Sequence, residues 1–460
     1  MLSLTLDSIL TNLINPRASA SAILSQRLIY ITQKFLNVMV KKIDVILNQV
    51  LEKIKPPEED LKIINNSLKD FLKKLEAGLK KHRINAEVFV GGSFAKNTVI
   101  KKDNYDVDVF LRFPDDKNIS EQTAKVLKGI DKFSVMHGSR DYFQLKISPD
   151  FFIEVVPVKK VKNPKESENI TDLSYSHVNY IKKKLKSKKI LDEIRIAKAF
   201  CYANNCYGAE SYIQGFSGYG LELLIYYYGS FLKFIKAMMN AKDKLVIDIE
   251  KKFRNKQEIL MNINSSKLQS PIVLIDPTYK QRNALAALSH ETFEKFRGDC
   301  RKFLKTPSVK FFEVKKTDLE KIKQDAKKNK SEFILLEAKT DKQEGDVAGS
   351  KLLKFYRHLE SEISRFFDIK NKGFDYEKEK SARFFFVVKS KKETLCNGPS
   401  TNDKKNIAAF KKRHKHTFIR GKKIFSKEKI NFNLKEFIDK WKLKNNGKMK
   451  DMSVEELKII

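Results

Sequence analysis

Asp106 and Asp108, one residue apart in the β-rich run Tyr-Asp-Val-Asp-Val-Phe-Leu-Arg-Phe over 105–113, are the residues whose types and spacing most plainly suggest chemistry. In an extended segment, alternate side chains leave the same face. Both carboxylates therefore point one way, while Val107 and Val109 point the other way, into a core. Two carboxylates side by side repel each other unless a cation lies between them. Mg²⁺ suits that position, because it takes hard oxygen ligands and keeps positions open for phosphate. Acid pairs on solvent-facing strands are common, so the flanking residues decide the reading. Just upstream, a strand pattern over 86–90 ends in Gly91-Gly92-Ser93, with Lys96 close behind. Glycines let backbone approach a phosphate, the N–H groups opening the next helix cradle it, and Ser93 and Lys96 add a hydroxyl and a cation. Downstream, Glu154 lies in a second β-rich run over 151–158 and offers a third carboxylate. Three carboxylates on adjacent strands beside such a turn can hold two divalent ions, activate a hydroxyl and stabilise a pyrophosphate leaving group.

The elements that must position these residues follow from periodicity. After Pro56-Pro57, apolar residues Leu61, Ile64, Leu68, Phe71, Leu72 and Leu75 recur at helical spacing. Helix, strand, Gly-Ser turn and two further strands predict a small α/β sheet. From Leu191 to about Phe303 the chain reads as helices, with Gly215 to Gly220 as a turn between two of them. Beyond Thr306-Pro307 the pattern is mixed, with strands predicted over 333–336 and 382–388 and a helix over 352–367. From Asn397 the chain is basic and weakly patterned. There is no internal repeat.

The 460 residues exceed one ordinary core and imply several domains. Lys and Arg total 92 against 57 acids, a net charge of +35 that favours a polyanionic partner, nucleic acid ahead of anionic membrane. Cys201, Cys206, Cys300 and Cys396 are too few and too scattered for a disulfide framework; Cys201 and Cys206 fall in a helical pattern without metal-ligand spacing. Reduced thiols and a cytoplasmic location are expected. No apolar run reaches the length of a membrane span. The first 38 residues, poor in charge and rich in Ser, Leu and Ile, read as an amphipathic helix or a loose extension.

Longer stretches carry a resemblance. The order of strand, Gly-Ser turn, acid-x-acid strand and distant acid strand resembles the nucleotidyltransferase superfamily of poly(A) polymerases, oligoadenylate synthases and CCA-adding enzymes. Gly208 to Phe231 (GAESYIQGFSGYGLELLIYYYGSF), Ile275 to Ser289 (IDPTYKQRNALAALS), Thr306 to Phe312 (TPSVKFF) and Asn397 to Lys423 are similar to signature stretches of the archaeal, class I CCA-adding enzymes. The resemblance covers roughly residues 45–423. It implies an α+β fold: a nucleotidyltransferase head with a small mixed sheet over 39–190, a helical central domain over 191–305, and a mixed α/β C-terminal RNA-binding domain over 306–460, after an extension over 1–38. It further implies Mg²⁺ held by Asp106, Asp108 and Glu154. Gly92, Ser93, Lys96, His177, Lys198 and Tyr207 are expected around the incoming triphosphate, and Arg282 at the base, where a rigid fork of donors suits base-edge acceptors. Lys198 and Tyr207, nine apart, are expected to line one groove as two to three helical turns. The acids depart from the family's Glu-x-Asp with distant Asp. Arg140-Asp141-Tyr142 stands where the family has His-Pro-Tyr, which removes an imidazole near the primer end.

The implied reaction is addition of C, C and A to tRNA from CTP and ATP, with tRNA as partner, no membrane, and a homodimer compatible. A poly(A)- or oligoadenylate-type transferase and a catalytically impaired RNA-binding homologue are the alternatives. Two basic runs qualify as an RNA track. Lys182, Lys183, Lys184, Lys186, Lys188 and Lys189 read as a solvated face. Lys411, Lys412, Arg413, Lys415 and Arg420 are interleaved with Phe410, His414, His416 and Phe418, which suits stacking on nucleobases, and they are assigned to RNA.

Overall fold

A computed structural model describes residues 41–102, 104–138, 140–241, 244–314 and 317–460. The extension over 1–38 and its helical reading lie outside the described residues.

Helix α1, over 41–54, leads through Pro56-Pro57 into α2 (Glu58–Lys81). Glu58, Glu59 and Asp60 occupy the first turn of α2 and Lys80 and Lys81 its last, each sign matched to the helix dipole. Its buried stripe is Ile64, Leu68, Phe71, Leu75 and Leu79, the predicted face extended by one turn. The head sheet follows: β1 (Glu87–Val90), the single-turn helix α3 (Gly92–Ala95), β2 (Tyr105–Phe113), helix α4 (Ile119–Leu127), β3 (Ser134–Met136), β4 (Tyr142–Ser148) and β5 (Phe151–Lys159). Strand order is β1-β2-β5-β4-β3, with β2 and β5 parallel and the other pairs antiparallel. Val107, Val109 and Leu111 of β2 enter a core with the α2 stripe and with Val126 of α4. Each such side chain contributes about 1.5–3 kcal/mol on burial, so a one-residue slip, which would expose all three, is strongly disfavoured.

The centre contains α5 (Ser174–Lys184), α6 (Lys188–Ala203), α7 (Gly218–Tyr228), α8 (Phe231–Asn240), α9 (Lys256–Asn262) and α10 (His290–Lys305). Phe200 of α6 sits at its middle, with ring centroids 5.3 to 5.9 Å from Phe231, Phe296, Phe303 and Phe312. Ile43, Ile46, Leu47, Val50 and Ile54 of α1 join the same core. The all-helical reading of this stretch needs correction. Strands β6 (Leu245–Ile247) and β7 (Ile272–Leu274) form a parallel pair, each too short to display alternation. Gly215 to Gly220 is only half a turn, because Ser217 caps α7 by accepting from the Gly220 N–H, which puts Gly218-Tyr219-Gly220 inside the helix.

The C-terminal part comprises α11 (Leu319–Lys328), β8 (Glu332–Lys339), α12 (Asp346–Ser364), β9 (Phe367–Asp375), β10 (Ser381–Ser390), β11 (Glu393–Ser400), α13 (Lys404–Arg413), β12 (Thr417–Arg420), β13 (Lys423–Lys429), α14 (Leu434–Lys444), α15 (Asn446–Asp451) and β14 (Glu456–Ile459). An antiparallel sheet ordered β14-β8-β10-β9 is covered on both faces. Phe384, Phe386 and Val388 of β10 pack with α12 and α14, and Phe385 and Val387 pack with Ala326 of α11. A second sheet, β11-β13-β12, carries the basic region from Asn397, which is more ordered than its weak pattern predicts. Among the described residues, no helix is long and apolar enough to cross a membrane.

Candidate active site

Asp106, Asp108 and Phe110 leave the face of β2 opposite the head core. The parallel register sets Glu154 of β5 directly beside Asp108. Gly92 closes the site from the turn. Its φ is +61°, and a Cβ there would lie 1.7 Å from Asp108 Oδ2, so the Asp108 carboxylate occupies the space a side chain would take. Gly91 yields likewise to the Phe110 ring and donates its N–H to the Asp108 carbonyl at 2.8 Å. Here the glycines admit a carboxylate and a ring rather than serving the phosphate alone. Burial, then repulsion from Glu154 and Asp106, pushes the Asp108 carboxyl up to about 7, against the pull of Lys96. Glu154 is raised by burial and by Asp106, although Gln144 Nε2 donates to its Oε1 at 3.1 Å. Lys102 Nζ stands 4.0 Å from Asp106 Oδ1. Like charges held together with oxygen donors alone form a set suited to hard divalent cations.

A narrow cleft opens beside this face, lined among others by Ser93, Thr98, Lys102, Asp106, Lys198 and Tyr207. The chain thus brings Ser93, Asp106, Lys198 and Tyr207 to one opening, but not through a continuous helix. Helix α6 ends at Ala203, Asn205 turns at φ 51°, and Tyr207 bridges to Phe216. The Tyr207 hydroxyl comes so close to Gly218 that a Cβ there would meet it at 2.8 Å.

Lys198 is 2% exposed. Its Nζ donates to Thr98 Oγ1 at 2.7 Å and to Glu222 Oε1 at 2.8 Å, and Lys96 Nζ donates to Glu222 Oε2 at 2.7 Å. Burial pulls the Lys198 ammonium down to about 8, with Glu222 opposing. Burial would raise Glu222, but Lys198 and Lys96 outweigh it and hold the carboxyl at about 2.

The remaining expected residues meet on Asp276. His177 Nε2 lies 2.9 Å from Asp276 Oδ2, and Arg282 Nη1 donates to the same oxygen at 2.7 Å. The Tyr219 hydroxyl donates to Oδ1 at 3.0 Å, and the Tyr219 ring stacks on His177 at 4.1 Å. Burial lowers the His177 pKa, with the Asp276 contact opposing. Asp276 itself is held low despite burial by His177 and Arg282. Arg282 is anchored to Asp276 through Nη1 alone, with its guanidinium 5.9 Å from the Tyr219 ring centre.

A nucleotidyltransferase domain model covers residues 72–197, and a model for the second domain of tRNA nucleotidyltransferase covers 192–313. A CCA-adding enzyme of Nanoarchaeum equitans is 31% identical over 73% of this chain and 81% of its own length. The chain belongs to the CCA-adding enzyme family. A Methanocaldococcus jannaschii CCA-adding enzyme is 27% identical over 90% of this chain and 94% of its own, and one from Saccharolobus shibatae is 32% identical over 61% and 64%.

Beside Arg140-Asp141 stands a different imidazole. His137 Nδ1 lies 2.8 Å from Asp141 Oδ1, supplied by the β3–β4 hairpin that the sequence did not reveal. Arg140 pairs with Asp116 and with the buried Asp172. Sequence reasoning also missed Thr98, Glu222, Tyr219 and Asp276. Glu222 had a signal: a lone acid inside Leu-Glu-Leu-Leu-Ile must be paired if that helix is buried.

The basic run lies elsewhere. Lys411, Lys412 and Arg413 end α13, Lys415 follows, and Arg420 ends β12; all five are exposed and none lines the cleft. Of the interleaved aromatics, His414 packs on Phe410 at 4.2 Å and pairs with Glu428, while Phe418 stacks on Phe425 at 5.9 Å. Phe410, His414 and Phe418 thus have ring partners within the protein, and His416 is exposed. Of the first run, Lys182, Lys183, Lys186, Lys188 and Lys189 are exposed, and Lys184 pairs with Glu250 at 2.9 Å.

Proposed function

We propose that this chain adds C, C and A to the 3′ end of tRNA from CTP and ATP, releasing pyrophosphate. The observation that carries the reading is the three-acid face of β2 and β5, closed by Gly92 and open to a cleft lined by Lys198, in a chain of the CCA-adding family. Asp106, Asp108 and Glu154 would hold Mg²⁺, and an all-carboxylate donor set suits that ion. Divalent ions bound there supply neutralisation of the reacting phosphate and a lowered pKa for the attacking hydroxyl. Ser93 and the Gly92 turn hold phosphate oxygens. Lys96 and Lys198 share one carboxylate, which leaves a net single positive charge facing the triphosphate. Tyr207 lines the cleft, His177 holds Asp276, and Arg282, anchored to the same carboxylate, reads the base edge.

In this reading residues 39–190 are the catalytic head, 191–305 the helical centre and 306–460 the RNA-binding body, with 1–38 an extension. Lys411, Lys412, Arg413, Lys415 and Arg420 hold tRNA phosphates, and the protein works in the cytoplasm as a monomer or homodimer. The test offers CTP or ATP singly to tRNAs ending before, within and after CCA. The expected result is C added only before the second C, and A only after it. Repeated A addition to every end would instead indicate a poly(A)-type transferase.

A further inference from the structure

We propose that Cys396, His414 and Glu428 form a Zn²⁺ site that ties the end of α13 to the β11–β13 sheet. One ligand atom from each residue lies within 4.8 Å of the other two. Tetrahedral zinc, with sulfur at about 2.3 Å and nitrogen or oxygen at about 2.0–2.2 Å, sets its ligand atoms roughly 3.3–3.6 Å apart. Closing the set therefore needs side-chain shifts of about 1 Å. His414 Nδ1 already pairs with Glu428, and the Cys396 sulfur lies within 4.8 Å of both.

The backbone fixes this meeting. Cys396 faces Ser426 across the antiparallel β11–β13 ladder, and Glu428 is two residues beyond Ser426, on the same face. His414 caps α13 and comes down on that face.

Chemistry selects the ion. Sulfur, imidazole nitrogen and one carboxylate are the donors of borderline-soft Zn²⁺, whereas Mg²⁺ and Ca²⁺ prefer oxygen alone. On binding, Cys396 releases its proton to solvent. Thiolate and carboxylate then balance the two charges of the ion, and water takes the fourth position.

An independent observation points to the same place. Ser426 Oγ is fully buried and has no hydrogen-bond partner among the described residues. An unsatisfied buried hydroxyl costs about 1–3 kcal/mol. It lies directly opposite Cys396 in the ladder, where a metal-bound thiolate would offer it an acceptor, and such supporting contacts are a regular part of zinc sites. Bound zinc would fix the turn that carries Lys411, Lys412 and Arg413 against the sheet.

The test uses the full chain stripped of metal by chelator and titrated with Co²⁺, then with Zn²⁺ in competition, under excess Mg²⁺. One equivalent of Co²⁺ should give thiolate-to-cobalt charge-transfer absorption, which Zn²⁺ removes and Mg²⁺ does not. Cys201, Cys206 and Cys300 are buried in the central core, so Cys396→Ser should abolish the band. Glu428→Gln should weaken Zn²⁺ binding while the band remains. Ser426→Ala should keep the band and weaken Zn²⁺ about tenfold, the size of a lost supporting contact. Absence of the band in the unsubstituted chain, or its survival in Cys396→Ser, would overturn the proposal. So would Zn²⁺ affinity unchanged in both Cys396→Ser and Glu428→Gln.

Discussion

Two carboxylate centres lie beside one cleft and titrate in opposite directions. Asp108, pressed between Glu154 and Asp106, is raised to about 7, while Glu222, gripped by Lys96 and Lys198, is held at about 2. Desolvation raises both, so burial alone does not separate them; the sign of the neighbours does. Glu222 is complete, because protein cations supply its counter-charge and Thr98 Oγ1 also donates to it, at 3.0 Å. The Asp108 group gathers three carboxylates against one distant lysine, Lys102 at 4.0 Å from Asp106, and Lys96, which pulls the Asp108 pKa down, is itself committed to Glu222. One centre builds the wall of the cleft; the other has the charge of a cation-binding site.

Removing a member of each centre should therefore have opposite consequences. Asp108→Asn should lower nucleotide incorporation by about 10³-fold or more, the several kcal/mol that a positioned metal contributes, without lowering the metal-free melting temperature. A clear fall in melting temperature with activity retained would show that Asp108 is structural. Glu222→Ala leaves two lysines unpaired, one of them buried, and should destabilise by about 3–5 kcal/mol in denaturant titration. A loss below about 1 kcal/mol would erase the contrast.

Smaller in size is the pH response. A carboxyl whose folded pKa is raised binds its proton more tightly folded than unfolded. Its contribution to stability is thus greatest below the ordinary 3.8, declines as pH rises toward about 7, and is flat above. Glu222 is lowered instead, so its contribution is present above the ordinary 4.5 and lost as pH falls towards 2. Metal-free protein should lose stability between pH 5 and 7 relative to Asp108→Asn, by at most about 1.4 kcal/mol per pH unit. Saturating Mg²⁺ should flatten that slope. Parallel curves for the two proteins would refute the raised carboxyl.

The two centres also differ in how visible they were in the sequence. Asp106 and Asp108 alternate with Val107 and Val109 on a nine-residue strand, so local periodicity gave strand and face, and the flanking Gly-Ser turn and Glu154 run gave the chemistry. The partnership of Glu154 with Asp108 depends on a parallel register across α4 and the unanticipated β3–β4 hairpin, which no local pattern encodes. Glu222, Thr98 and Lys96 meet over separations of 124 to 126 residues, and Asp276 draws in His177 across 99. Such hubs depend on packing between helices. The same limit hid the Cys396, His414 and Glu428 group, since cross-strand pairing and a helix end bring it together.

The central claim is that Asp106 and Asp108, with Glu154, hold the metal for CCA addition. The most direct measurement follows labelled CTP and ATP into tRNA lacking its last three nucleotides, using the unsubstituted chain and Asp106→Ala/Asp108→Ala, with tRNA affinity taken at fixed salt. The account predicts C, C and A added in order and only with divalent metal, no incorporation by the double variant, and tRNA affinity changed by about twofold or less. Incorporation by the double variant at the unsubstituted rate would contradict it.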